Sequence, residues 1–203
     1  MEARTLKMNG VSCFVSRSGY TGEDGFEIMC EGKDALALTE AMMATGEVGM
    51  TGLGARDSLR LESGLCLYGN DIDDTTSPSE ANLLWTIPKS RRVEGRNNFV
   101  GAGRILGEIT DKKLVSRKRA GFVNQGPPAR AGDKIFDMQS NEVGVITSGV
   151  FGPTVKHNCS MGYVKKEFVK KNTELELQVE IRGKMRPLKV TPMPFTPANF
   201  FRG

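Results

Sequence analysis

The run Gly19-Tyr20-Thr21-Gly22-Glu23-Asp24-Gly25-Phe26-Glu27-Ile28 packs three glycines and two acids into a turn and ends in an apolar strand pattern that carries Glu27. Ala55-Arg56-Asp57-Ser58-Leu59-Arg60-Leu61-Glu62 is a second charged segment, written into a helical pattern. A strand carboxylate can accept two hydrogen bonds from the N–H and NH2 edge of a 2-amino-4-oxo ring, the edge that guanine and pterins share. A guanidinium on a rigid helix can clamp a carboxylate with its fork of donors. Together Glu27 and Arg56 suit a flat, nitrogen-rich ligand with an acidic tail. Either residue alone reads more often as a solvated surface charge. Tyr68 and Trp85 are candidates for an aromatic wall, although single aromatics more often fill cores.

Stiff elements must hold these side chains. Val11, Cys13 and Val15 alternate with Ser12, Phe14 and Ser16, which predicts a strand entering the Gly-rich turn, with Phe26–Cys30 as its hairpin partner. Glu27 then sits in a strand. Asp34–Ala44 and Leu53–Ser63 have helical spacing, and Gly46 and Gly64 end them. On the second helix Arg56 and Arg60 share one face, while Leu59 and Leu61 point to a core. Residues 70–78 are polar and turn-rich, and Glu80–Ile87 is a short apolar element carrying Trp85.

After Lys89 the pattern becomes short strands separated by Gly, Pro and Asn: 119–123, 134–136, 142–148, 160–164, 174–179 and 186–190. Six strands with almost no helix predict a small antiparallel barrel. The fold class is therefore α+β, a mixed α/β part over residues 1–88 followed by a β-barrel domain over 89–203. Charge divides at the same boundary: residues 1–88 hold 6 Lys/Arg against 14 Asp/Glu, and residues 89–203 hold 22 against 10. That asymmetry points to two surfaces with different partners.

Several chemistries are disfavoured. No apolar run is long enough to span a bilayer, so no membrane partner is expected. Cys13, Cys30, Cys66 and Cys159 are scattered without a CxxC pair, and His157 is the single histidine, so the pattern gives neither a metal site nor a disulfide framework but free thiols. The lone histidine in a turn-like context gives no nucleophile–base pair. The basic half lacks the interleaved aromatics that stack bases, so an acidic protein or ligand tail fits it better than nucleic acid.

The Gly19–Ile28 and Ala55–Glu62 motifs resemble the T-protein of the glycine cleavage system, the aminomethyltransferase family. The resemblance continues through Leu65-Cys66-Leu67-Tyr68-Gly69-Asn70-Asp71-Ile72-Asp73, the Trp85–Arg92 segment, Thr147-Ser148-Gly149, Met161-Gly162-Tyr163-Val164 and Pro192-Met193-Pro194-Phe195. It implies transfer of the one-carbon unit of an aminomethyl group, carried on the lipoyl arm of the H-protein, to tetrahydrofolate as acceptor substrate, with release of ammonia and formation of 5,10-methylenetetrahydrofolate. By resemblance Glu27 holds the pterin amino edge and Arg56 binds folate. Tyr68 and Trp85 line the cavity, and Phe200 stands where the family often has a tyrosine, keeping a ring but no hydroxyl.

The resemblance also implies that residues 1–88 are the C-terminal part of a folate-binding domain. The family's catalytic aspartate belongs to a region that precedes it, so no catalytic residue is assigned in this chain. The expectation is a chain without transferase activity alone, in the mitochondrial matrix or, for a prokaryote, the cytoplasm. Rival readings are a folate-binding module of RNA-modification or cluster-maintenance relatives, or of a flavin-dependent amine dehydrogenase. The RNA-modification and cluster-maintenance relatives usually lack the full 56–62 and Leu67–Asn70 segments.

Overall fold

Asn9 and Gly10 both have positive φ, 48° and 81°, the backbone that joins antiparallel strands in a two-residue hairpin. They connect Ala3–Met8 (β1) to Val11–Ser16 (β2), and β2 pairs in turn with Glu27–Met29 (β3) in a three-stranded antiparallel sheet. The computed structural model describes residues 2–169 and 176–201. The expected β2–β3 pair is present, with Ser16 opposite Glu27. β1 is an addition: only Leu6 and Met8 alternate within it, and five of its six residues are exposed, so hydrophobic alternation gives it too short a signal.

Two helices follow, Gly32–Met43 (α1) and Leu53–Glu62 (α2). α2 ends where Gly64 takes φ 69° and the amide of Leu65 reaches back to the carbonyl of Arg60 at 2.9 Å. A Cβ on Gly64 would meet Met193 at 3.0 Å, so the same glycine also lets the C-terminal tail lie against the helix end. Trp85 sits in a single 3-10 turn, Leu84–Thr86.

A third helix, Ala102–Thr110 (α3), occupies a stretch where the sequence pattern predicts almost none. Gly101 just before it and Gly103 and Gly107 within it mask the period. Packing explains it: Ile105 and Glu108 are buried, and Arg104, paired within the helix to Glu108, ties the helix to Glu80 and the carbonyl of Thr75.

The second half closes as the expected antiparallel barrel, in the order β4-β7-β6-β5-β8-β9. Its strands are Arg117–Asn124 (β4), Lys134–Asp137 (β5), Glu142–Gly152 (β6), His157–Lys165 (β7), Leu177–Ile181 (β8) and Lys184–Thr191 (β9). Glu174 and Leu175, expected at the start of the fifth of these, lie outside the described residues. β8 alternates buried and half-buried positions, as a strand with one wet face must. β7 is buried from Asn158 to Val164, because its outer face is covered by α2. Phe122, Ile135, Ile146, Val164 and Val179 fill the barrel. A second cluster, Leu61 with Cys159 and Met161, glues α2 to its outside.

No helix among the described residues is long and apolar enough to cross a membrane.

Candidate functional site

α2 presents charged side chains in two opposite settings. On its inner side the Arg60 guanidinium is almost fully buried. It meets Asp71 at 2.6 Å, Asp57 at 2.7 Å and the Ser148 hydroxyl at 2.8 Å. Burial alone would depress the arginine, but Asp57 and Asp71 more than offset it and hold it charged. Asp71 is itself buried, accepting from the Leu67 amide at 2.9 Å, from Ser148 at 3.0 Å and from Thr147, while its carbonyl takes the Tyr163 hydroxyl at 2.7 Å. Register shifts between Ile146 and Ser148, a β-bulge at Thr147 that lets consecutive side chains reach the same carboxylate.

Two residues on, the buried Glu62 accepts from the Thr154 amide at 2.8 Å, the Thr154 hydroxyl at 2.9 Å and the Val155 amide at 3.0 Å. Its carbonyl takes the amides of Phe195 and Thr196. Arg60 and Glu62 therefore dock the helix on the barrel, a role that helical spacing does not announce. Beside Glu62 the Cys159 thiol is pushed up to about 12 by burial, with the glutamate charge adding, so it stays an inert packing group.

Arg56 stands one turn earlier on the same face, beyond the cover that buries Arg60. It is exposed, stacks over Tyr20 at 4.8 Å from the ring centre, and has no carboxylate within ion-pair distance among the described residues. With Tyr20, Leu67 and Asn70 it lines a cavity of about 500 Å³ between α2 and the barrel. Arg130 closes the barrel side, its guanidinium braced on the carbonyl of Gly149 at 2.8 Å. Asp57 is the carboxylate of that lining, and Arg60 already engages it. The cavity thus offers two forked cations and an aromatic face, which suits a planar group bearing a carboxylate.

The Gly-rich turn joins this cavity to the C-terminal tail. Tyr20 donates to the Cys66 carbonyl, Asn199 donates to Glu23 at 3.1 Å and to the Gly22 carbonyl at 2.9 Å, and Arg17 pairs with Asp24 at 3.0 Å while lying 3.8 Å over the Phe201 ring. Arg17 holds the Asp24 carboxyl below its ordinary range. Glu27 stands in β3 as expected, exposed and accepting from Ser18.

Of the five residues singled out from sequence, Arg56 lines the cavity. Tyr68, Trp85 and Phe200 are exposed to 71%, 74% and 47%, so like Glu27 they lie on open surface and not within the cavity lining. Tyr20 and Arg130 belong to the cavity and are absent from the sequence reading. Tyr20 sits inside the motif that drew attention to Glu27. Arg130 lies in a Gly/Pro-rich connection that gives no signal beyond "loop".

Comparisons with known proteins fit both halves. Residues 1–91 match the family model described as GCVT N-terminal domain, and residues 117–196 match the glycine cleavage T-protein C-terminal barrel domain. The chain is 47% identical over 203 residues to the mitochondrial aminomethyltransferase of Solanum tuberosum, covering 99% of this chain and 48% of that protein. It is 44% identical to the Dictyostelium discoideum counterpart, covering 98% and 50%. The crystal structure of glycine cleavage system aminomethyltransferase T from Bartonella henselae aligns with a TM-score of 0.86 at 44% identity, over 94% of this chain and 51% of that one. The chain spans about half the length of the curated relatives it matches.

Proposed function

Since the chain belongs to the aminomethyltransferase family, the T-proteins of the glycine cleavage system, we propose that it supplies the tetrahydrofolate-holding surface for aminomethyl transfer from the lipoyl arm of an H-protein. The products are ammonia and 5,10-methylenetetrahydrofolate. In eukaryotes the setting is the mitochondrial matrix, in keeping with the relatives named mitochondrial.

The observation that carries this reading is the exposed Arg56 over Tyr20 at the mouth of a cavity shared with Arg130. In this reading the glutamate tail of folate lies against Arg56 and Arg130, each a planar fork matched to a carboxylate. Glu27 accepts the 2-amino edge of the pterin from its place on β3, and Tyr68, Trp85 and Phe200 flank the bound rings. Residues 1–88 act as part of the folate-binding domain, and residues 89–203 as the barrel that backs it.

Turnover is a separate matter. Attack of folate N5 on the aminomethyl carbon needs a positioned carboxylate, and the cavity's Asp57 is bound to Arg60. Positioning is worth up to ~10⁵–10⁸ M of effective concentration, so with Asp57 held by Arg60 this cavity binds folate but transfers negligibly.

Calorimetric titration with tetrahydrofolate tests the binding. Arg56→Lys keeps the charge and loses the fork, and it should weaken affinity about tenfold, on the ~1.5–3 kcal/mol scale of hydrogen bonds to charged groups. Glu27→Ala should cost ~2–4 kcal/mol if two charge-assisted bonds hold the ring edge. Unchanged affinity in either variant removes that residue from the site. Full-rate formation of methylenetetrahydrofolate from aminomethylated H-protein would refute the division between binding and turnover.

A further inference from the structure

We propose that Cys13 in β2 and Cys30, the residue after β3, oppose each other and form a redox-reactive dithiol that closes into a cross-strand disulfide. The register carries the argument. Ser16 pairs with Glu27, Val15 with Ile28 and Phe14 with Met29, and the same register carried one step past the last residue of β3 would set Cys13 opposite Cys30. Directly opposed residues hold their Cα atoms ~4.5–5.5 Å apart and point their side chains to the same face. That separation falls within the ~4.4–6.8 Å that a disulfide spans. Both thiols are free in this structure.

The two sulfurs differ in access, which fixes the order of events. Cys13 is 1% exposed and donates weakly to the Val11 carbonyl, whereas Cys30 is only half-buried. A soluble disulfide such as glutathione disulfide therefore reacts at Cys30. The Cys30 thiolate attacks one sulfur, the oxidant's S–S bond breaks, and one glutathione thiol leaves. The Cys13 thiolate then attacks Cys30 Sγ and expels the second glutathione thiol, so two protein thiols are oxidised to one S–S bond while one glutathione disulfide is reduced to two thiols. Burial, together with the nearby Cys13 thiol and the Asp34 and Glu31 carboxylates, raises the Cys30 pKa, so entry is slow near neutral pH and accelerates as pH rises. The other cysteines are differently placed: Cys159 packs against Leu61, and Cys66 lies in the loop after α2. The bond would tie the base of the hairpin whose far end carries Glu27.

The test is oxidation of the whole chain with glutathione disulfide between pH 7 and 9, followed by alkylation in denaturant and peptide mapping. The expected product has two alkylatable thiols where the untreated chain has four, and a crosslink joining the Cys13 and Cys30 peptides. Its formation should quicken at the higher pH. Cys13→Ser should halt at a Cys30–glutathione adduct, and Cys30→Ser should leave Cys13 unmodified. A wild-type chain that accumulates the Cys30 adduct without closing, links Cys66 or Cys159 instead, or keeps all four thiols at pH 9 overturns the proposal. Wild-type mapping decides the matter even if a serine variant fails to fold.

Discussion

Arg56 and Arg60 stand one turn apart on the same helix, yet they occupy opposite worlds. Arg60 is enclosed by Asp57, Asp71 and Ser148 and couples α2 to the barrel, while Arg56 lies open over Tyr20 at the cavity mouth. Their sequence signals are identical in kind. Position relative to the barrel separates them: the chain that returns through Asp71 and the bulge at Thr147 covers one arginine and leaves the other free. A buried guanidinium must have all its charge answered, whereas an exposed one keeps its donors for a ligand.

The comparison is most easily broken at Asp71. Asp71→Ala would strand Arg60 in a dry site and release Thr147, Ser148 and the Leu67 amide at once, which should cost about 3–5 kcal/mol of stability. Asp57→Ala removes a partner that is 49% exposed and should cost about 1 kcal/mol or less. Urea denaturation of the two variants reads the difference. Equal losses would mean that the buried and exposed sides of the Arg60 pairing are not distinct.

The same contrast marks what the sequence discloses. The barrel is legible because its strands alternate and are punctuated by Gly, Pro and Asn, and five of the six expected strands lie wholly within observed ones. α3 escapes because its stability comes from Ile105 and from the Arg104 bonds to Thr75 and Glu80, which are tertiary, against a local sequence that three glycines weaken. β1 escapes because an edge strand facing solvent carries too short an apolar period, although its Asn9-Gly10 turn is a hairpin signal. At the site, the 56–62 motif stands out, but the division of labour within it depends on Asp71, Ser148 and Thr154, up to 92 residues away in sequence. Arg130 enters the cavity only through barrel closure.

A second, milder probe concerns Glu80, which joins the 70–80 loop to the barrel. Burial pushes its carboxyl up, but Arg117 at 2.8 Å, the Ser77 amide at 2.9 Å and the charge of Arg104 outweigh that and hold its pKa below the ordinary value. A depressed folded pKa means that the stabilisation is present above the unfolded value, ~4.3, and is lost as pH falls through the lower folded value. Glu80→Gln keeps the shape but removes the charge and replaces one of the two acceptor oxygens by an NH2 donor. The stability gap between wild type and variant should thus be widest near neutral pH and shrink below about pH 4.3. A gap constant from pH 7 to pH 3 would show that the Glu80 charge is already fully screened.

The smallest expected effect lies on the open side of the molecule and carries the comparison to its other end. Trp85 and Tyr68 are large aromatic side chains left 74% and 71% exposed, so truncating either removes little buried area. Trp85→Ala and Tyr68→Ala should each change the unfolding free energy by no more than about 0.5 kcal/mol, the usual range for surface positions. An aromatic that contributes to a core costs ~3–5 kcal/mol when cut to alanine, so the two cases are far apart. A loss above about 1 kcal/mol would place Trp85 with Arg60 among the groups that hold the fold together. A negligible loss combined with weakened tetrahydrofolate binding would place it with Arg56, on the face proposed for the ligand.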